Sequence, residues 1–338
     1  MEDRHLVSFE VSGFKKFTDL RIENIGQFNL IVGDNNVGKT TLLESLLIDS
    51  DSDKFLKGLS SIMFSIKRFT GLNKFFLLYY FSNTFDYLPQ KIKFKLSQRD
   101  GKYERIEYEK ISDRQITSQY ILNAEFPDRR GSGNNVGNMN PEDNAEFNFN
   151  IPYVPFGALY NHELTKQYSN YVQRFIDKKE KLIESLQHII KGIKNIEVNA
   201  SDSHQPILFI AENNKNTLSP LATYGDGTVK LFRILLSLFA NDHYNRLMID
   251  ELDAGVHYRR LKDFIKSLII VAKEQKKQVF ATTHSKECLE YFALALKELG
   301  LEEDGRIIRL AETKNGVKAY TNTYEQFQNS LVADSEIR

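Results

Sequence analysis

Phe28-Asn-Leu-Ile-Val-Gly33-Asp-Asn-Asn-Val-Gly38-Lys39-Thr40-Thr41-Leu-Leu-Glu-Ser-Leu46 decides how this chain folds. Phe28, Leu30, Ile31 and Val32 form an apolar run of strand length, and Leu42, Leu43 and Leu46 recur at helical spacing. Between them the loop fits G-x-x-x-x-G-K-[ST], the phosphate-binding pattern. The spacing has a chemical reason. Gly33 and Gly38 let the backbone curl so that successive N–H groups face an anion, and the helix start adds the positive end of its dipole. In that reading Gly33, Asn35, Asn36, Gly38, Lys39, Thr40 and Thr41 bind nucleotide. Lys39 reaches the β- and γ-phosphates, and the Thr40 hydroxyl holds Mg²⁺.

Working outward, residues 6–32 read as strands, with Gly13-Phe-Lys-Lys-Phe17 as a turn. Lys91–Leu96 and Tyr103–Tyr108 alternate about Asp100-Gly101 and predict a hairpin over 91–109. The segment 55–81 is rich in Phe, Leu and Ile and predicts helix. Residues 127–150 are Gly- and Asn-rich and read as a flexible loop. From 162 to 194, Val172, Ile176, Lys179, Ile183, Leu186, Ile190 and Ile193 predict one long helical face. It fits either a short antiparallel helical arm or a helix laid on the domain. Ile196–Val198 and Ile207–Ile210 predict a further hairpin.

Three more segments carry chemistry. Gly225-Asp-Gly227-Thr228 is a polar glycine turn opening an apolar helix. Arg246-Leu-Met-Ile-Asp250-Glu251 is a buried strand ending in two carboxylates. Asp250 in such a place suits Mg²⁺, and Glu251 suits the general base that activates water. Gln278–Thr283 is a buried strand ending at His284, which is placed to meet a γ-phosphate. Ile307–Leu310 and Lys318–Tyr320 predict an edge hairpin, with a final helix from Thr323.

Bulk properties narrow the class. The chain has 338 residues, zero formal net charge and one cysteine, Cys288. Neutrality supplies no overall pull toward nucleic acid. The lone cysteine excludes a disulfide framework and reads as a packed helix residue. No signal-peptide pattern or 18-residue apolar stretch is present, so the expectation is a cytoplasmic protein without a membrane partner.

Together the P-loop, the glycine turn before an apolar helix, the strand ending Asp250-Glu251 and the strand ending Thr283-His284 resemble an ABC-type ATPase head of the RecF/SMC branch. Phe14-Lys-Lys-Phe17 fits that branch too. The likeness is nearest to short OLD-related bacterial AAA family ATPases, through Gly225–Thr228, Asp253-Ala-Gly-Val-His257 and the terminal Glu336-Ile-Arg338. It covers about 1–50 and 205–338. The resemblance implies an α/β P-loop NTPase with a mixed central sheet, an antiparallel N-terminal sheet and an inserted helical lobe over about 51–204, all in one ATPase domain. It makes Lys39 and Thr40 Walker A, Asp250 and Glu251 Walker B, and His284 the switch histidine. Gly225 and Gly227 would contact ATP held by a second copy. Two departures stand out: the signature serine is missing, and no Q-loop glutamine can be placed. After His284 the only aspartates are Asp304 and Asp334, so no nuclease metal site is expected.

The function implied is an ATP-binding and hydrolysing switch. It would form ATP-sandwiched dimers, or higher homo-oligomers, and control a separately encoded effector in phage defence or DNA repair. A RecF-like ATPase that binds DNA is the alternative. A GTPase is disfavoured because no Asn-Lys-x-Asp sequence occurs.

Overall fold

The computed structural model describes residues 5–48, 91–101, 103–109, 117–126, 129–138, 153–156, 162–187, 189–199, 206–240 and 245–332. The expected helix over 55–81 and the terminal Glu336–Arg338 lie outside them. The chain divides into two units. The first comprises Met1–Ile151, Phe280–Thr282 and Glu303–Arg338; the second comprises Pro152–Val279 and Thr283–Glu302.

In the first unit, β1 (Leu6–Phe14), β2 (Phe17–Glu23), β4 (Lys91–Gln98) and β5 (Tyr103–Glu109) form an antiparallel sheet in the order β2-β1-β4-β5. Alternation decides its faces. Phe9, Val11, Phe14, Leu20, Ile22, Phe94, Leu96 and Ile106 are buried, while Glu10 and Lys95 pair at 3.3 Å on the wetter side. Phe94 sits 6.2 Å from the Phe9 ring centroid and 6.1 Å from that of Phe14. The hairpin expected at Asp100-Gly101 is present, with the Gly101 N–H on the Gln98 carbonyl and φ 84° at Gly101.

A second sheet of this unit carries the P-loop strand. β3 (Phe28–Val32) is buried along its whole length and runs parallel to β14 (Gly305–Thr313), which pairs antiparallel with β15 (Gly316–Thr323). The edge hairpin expected at the tail is present: β14 and β15 pair antiparallel, β15 is the outer strand, and β14 joins the hairpin to β3. Burial on both faces explains why β3 reads as a continuous apolar run. α1 (Lys39–Ser45) follows β3 through the P-loop, and the C-terminal helix of the described chain, Tyr324–Val332, packs on β14 and β15.

One expectation in this unit fails. Residues 129–138 are not loop but a strand, β7 (Arg129–Asn138), paired antiparallel with β6 (Thr117–Phe126). Backbone pairing needs no apolar alternation, and Arg-Arg-Gly-Ser-Gly-Asn-Asn offers none, so the pattern was silent. Residues 139–150 lie outside the described set.

The second unit is built on the apolar helix α4 (Asp226–Ala240). Around it stand α2 (His162–Tyr171) and α3 (Ile176–Gln187), a three-stranded antiparallel sheet in the order β11-β10-β9, and the strands β8 (Tyr153–Val154) and β12 (Arg246–Ile249), which run parallel. Here β9 is Ile193–Asn199, β10 Ile207–Glu212 and β11 Ser219–Pro220, so the second expected hairpin is also present. Strand β13 (Gln278–Thr282) gives its first two residues to this unit and the rest to the first. α5 (Tyr258–Glu274) and α6 (Lys286–Leu299) pack on each other. Ser285 caps α6 by accepting the Cys288 N–H at 3.2 Å, and Gly300 ends it at φ 64°.

The continuous helical face expected over 162–194 is broken into two helices and the start of a strand. The chain turns at Val172–Phe175, where the Phe175 N–H meets the Val172 carbonyl. The turn rotates the second helix out of the first one's register. Ile176 is then 76% exposed while Leu182 and Leu186 take the core positions. Both helices lie on α4: Tyr168 packs 6.0 Å from the Phe232 ring, and Lys178 donates to the Phe239 carbonyl. The Tyr168 hydroxyl donates to Ile196 O at 3.1 Å, and burial pushes its ionisation well above the usual phenol range.

Candidate functional site

The P-loop lies in the first unit. At Gly33 the backbone has φ 143°, and a Cβ would stand 2.4 Å from the Leu310 carbonyl oxygen on β14. Only glycine fits there, so the first motif glycine is dictated by the neighbouring strand as well as by the turn. Asn36 (φ 62°) and Gly38 (φ 114°) complete the curl in the left-handed region. Asn36 tolerates it better than most residues. The Lys39 ammonium, buried at 7% exposure, donates to the carbonyls of Gly33 at 2.7 Å and Asp34 at 2.8 Å. The amine therefore folds back across its own loop. α1 begins at Lys39 with Gly38 as its cap residue. Thr40 and Thr41 are half-buried, whereas Asn35 and Asn36 are exposed.

The β1–β2 turn buttresses this loop. Lys15 is paired with buried Glu44 of α1, and the Lys16 amine donates to the Asn36 carbonyl. The Phe17 ring and the Lys16 stem pack beside Gly38, where a Cβ would meet them at 3.0 and 3.1 Å. The Phe14–Phe17 turn thus supports the P-loop directly.

The second unit brings together the remaining residues. Asp250 ends β12 buried at 8% exposure, its N–H on Val154 O at 2.8 Å and its Oδ2 accepting from the Tyr153 hydroxyl at 3.5 Å. Glu251 is half-buried and adopts φ 47°, a left-handed backbone that costs a non-glycine residue about 1–2 kcal/mol. Its carbonyl accepts the Ala254 N–H at 3.0 Å, and Asp253 O accepts the Val256 N–H, so Glu251–Val256 is a pair of tight turns.

The glycine turn lies against those turns. Gly225 has φ 84° with open space at its Cβ position, and its carbonyl accepts the N–H groups of Thr228 and Val229 to start α4. At Gly227 a Cβ would stand 2.4 Å from the Gly255 carbonyl oxygen. The second glycine is therefore required by close approach of two backbones. Asp253 is tied in turn to the residues that follow β13: Thr283 Oγ donates to Asp253 Oδ1 at 2.6 Å and accepts the Ser285 N–H at 3.1 Å. His284, between them in sequence, is exposed.

Sequence reasoning missed Lys230. It lies on α4, 2% exposed, and its ammonium donates to the carbonyls of Asp250 at 3.3 Å, Glu251, and Ala254 at 3.5 Å. Burial pushes its ionisation down to about 8, against the opposing pull of Asp253, Asp250 and Glu251. The available signal was weak: a lysine between Val229 and Leu231 in a mostly apolar helix. Cys288 faces the same cluster, and burial and Asp253 push its thiol up to about 12. It is a buried, packed residue, as expected. Among the described residues no helix is long and apolar enough to cross a membrane.

A glycine-framed loop between strand and helix, G-x-x-x-x-G-K-T over Gly33–Thr40, is the mark of the P-loop nucleotide hydrolases. A family model described as "AAA domain, putative AbiEii toxin, Type IV TA system" matches residues 28–290. The chain belongs to that family and is an AAA-type ATPase. It is 26% identical to an "ATP/GTP phosphatase" of Helicobacter pylori, with 86% of this chain and 88% of that protein aligned. Its fold is similar to an Smc head crystallised with the C-winged helix domain of ScpA, at TM-score 0.54 and 12% identity over 96% of this chain and 99% of the other. An Smc head with an extended coiled coil, bound to the C-terminal domain of ScpA from Pyrococcus furiosus, gives TM-score 0.55 and 12% identity over 98% and 99%. The expected α/β architecture with a mixed sheet, like that of ABC-type heads, is thereby established.

Proposed function

We propose that this chain is an ATP-driven switch, closed between two copies by bound nucleotide and reopened by hydrolysis. The observation that carries the reading is the P-loop itself. A buried lysine amine spans a loop that glycine alone can form, at the start of α1. That donor set suits a triphosphate. Thr40 and Asp250 offer the hard oxygen ligands that Mg²⁺ takes, and the metal would neutralise phosphate charge.

In this reading Lys39 leaves the Gly33 and Asp34 carbonyls for the β- and γ-phosphates, with the N–H groups and side chains from Asn35 to Thr41 around them. Glu251 accepts the proton of the attacking water as that water bonds to γ-phosphorus, and the bond to the ADP oxygen breaks. His284 meets the γ-phosphate end and reports whether it is present. The Gly225–Thr228 turn faces the ATP of a second copy, which gives nucleotide a different affinity for the joined and separate states. The relative of H. pylori named a phosphatase of ATP and GTP supports hydrolysis, and the Smc heads bound to ScpA domains support a separately encoded partner.

We place the chain with OLD-related ATPases and read its output as control of an effector in phage defence or repair, on family likeness. The test is hydrolysis of ATP by the wild type, Lys39→Ala and Glu251→Gln. Loss of nucleotide binding in the first variant, and binding without turnover in the second, would support the reading. Wild-type turnover in either would refute it.

A further inference from the structure

We infer that Lys230 is a positioning residue for hydrolysis, fixing the backbone that carries Glu251. The inference rests on the reading of Glu251 as general base and extends it to a residue that never touches nucleotide.

Three observations converge. First, the Lys230 ammonium donates to three carbonyls within one short turn, those of Asp250, Glu251 and Ala254. A surface lysine would be solvated; this one is 2% exposed, so its position is a defined part of the packing. Second, Glu251 sits at φ 47°. A strained conformation persists only where the surroundings hold it, and an ammonium gathering the carbonyls on both sides of that residue is such a hold. Third, the helix bearing Lys230 cannot drift from the turn. Its Gly227 lies against the Gly255 backbone, where even a methyl group would meet the carbonyl oxygen at 2.4 Å. Lys230 follows one helical turn after Asp226, so the glycine turn and the base are anchored by the same helix.

The chemical consequence follows from geometry. A base misplaced by about 1 Å can lose about a hundredfold in rate without loss of substrate binding. Lys230→Met keeps the length and apolar stem and removes the donor. In the full chain it should lower kcat by about 10- to 100-fold, with KM for ATP within about twofold and melting recorded alongside. In a Glu251→Gln background the same substitution should change the residual rate by less than about twofold, because the group it positions is already gone. Lys230→Gln, which keeps one amide donor, should fall between Met and wild type, and it carries the same cycle if the Met variant does not fold.

Wild-type kcat in the lysine variants, or a rise in KM with kcat unchanged, overturns the inference while leaving Glu251 as base. Multiplicative losses in the double variant also overturn it, because they place Lys230 on another step. A Glu251→Gln protein that hydrolyses ATP normally overturns both the base assignment and this inference.

Discussion

Replacing Gly227 with alanine sets two quantified effects against each other. Gly227 is the second residue of α4, and alanine is the better helix former by about 1 kcal/mol. Judged as a helix position alone, the substitution should stabilise. The new methyl, however, would stand 2.4 Å from the Gly255 oxygen and 3.1 Å from both its carbonyl carbon and Val256 Cα. All three are backbone atoms in a tight turn, with no flexible side chain to swing away. Overpacking of this kind costs about 1–3 kcal/mol and occasionally more. Against rigid backbone the upper end of that cost applies, so the clash wins by about 2 kcal/mol, which in a chain of 338 residues lowers Tm by about 3 °C. Differential scanning calorimetry without nucleotide is the assay, and turnover should fall with Tm because the displaced turn carries Glu251. A Gly227→Ala protein that melts at or above the wild-type temperature would refute the close approach of the two backbones. The placement of the glycine turn against the carboxylate strand would fall with it.

Other expected outcomes are independent of that packing. Lys39→Ala should abolish ATP binding measured by calorimetry; retained affinity would remove the P-loop from the account. Glu251→Gln should bind ATP yet turn over about 10²–10⁴-fold more slowly, the usual worth of a general base, in a steady-state phosphate-release assay. Cys288 should resist iodoacetamide in the native protein at pH 8.5 and react after denaturation, because burial holds its thiol near 12. The linked effect on stability has a definite sign. The unfolded thiol ionises near its ordinary value of about 8.5 and the folded one does not, so this group's contribution is full below that pH and is lost as pH rises toward 12. Labelling of the native protein as fast as the denatured one would place Cys288 at the surface.

How much was legible in the sequence depended on whether one local rule sufficed. The P-loop was readable because Gly33, Gly38 and Lys39 are each demanded by backbone geometry or by anion chemistry. The hairpin about Gly101 and the strand ending at Asp250 followed from alternation and burial. β7 was not readable: its Gly- and Asn-rich residues lack apolar alternation and are ordered by pairing with β6. The break between α2 and α3 was hidden because apolar residues continued at helical spacing through a turn. Periodicity also assigned Ile176 to the core, although it is exposed. Lys230 was hard to read for another reason. A lysine in a helix ordinarily reads as a solvated position, and only the fold reveals carbonyls converging on its amine. The left-handed backbone of Glu251 had no sequence signal at all, since glutamate rarely adopts it.

The central claim is that nucleotide joins two copies of this chain and hydrolysis parts them. Sedimentation velocity of Glu251→Gln, with and without Mg²⁺-ATP, tests it most directly. The account predicts one-chain mass without nucleotide and a stable species of twice that mass with ATP, reverting when ADP replaces it. An unchanged sedimentation coefficient with saturating ATP bound would contradict it.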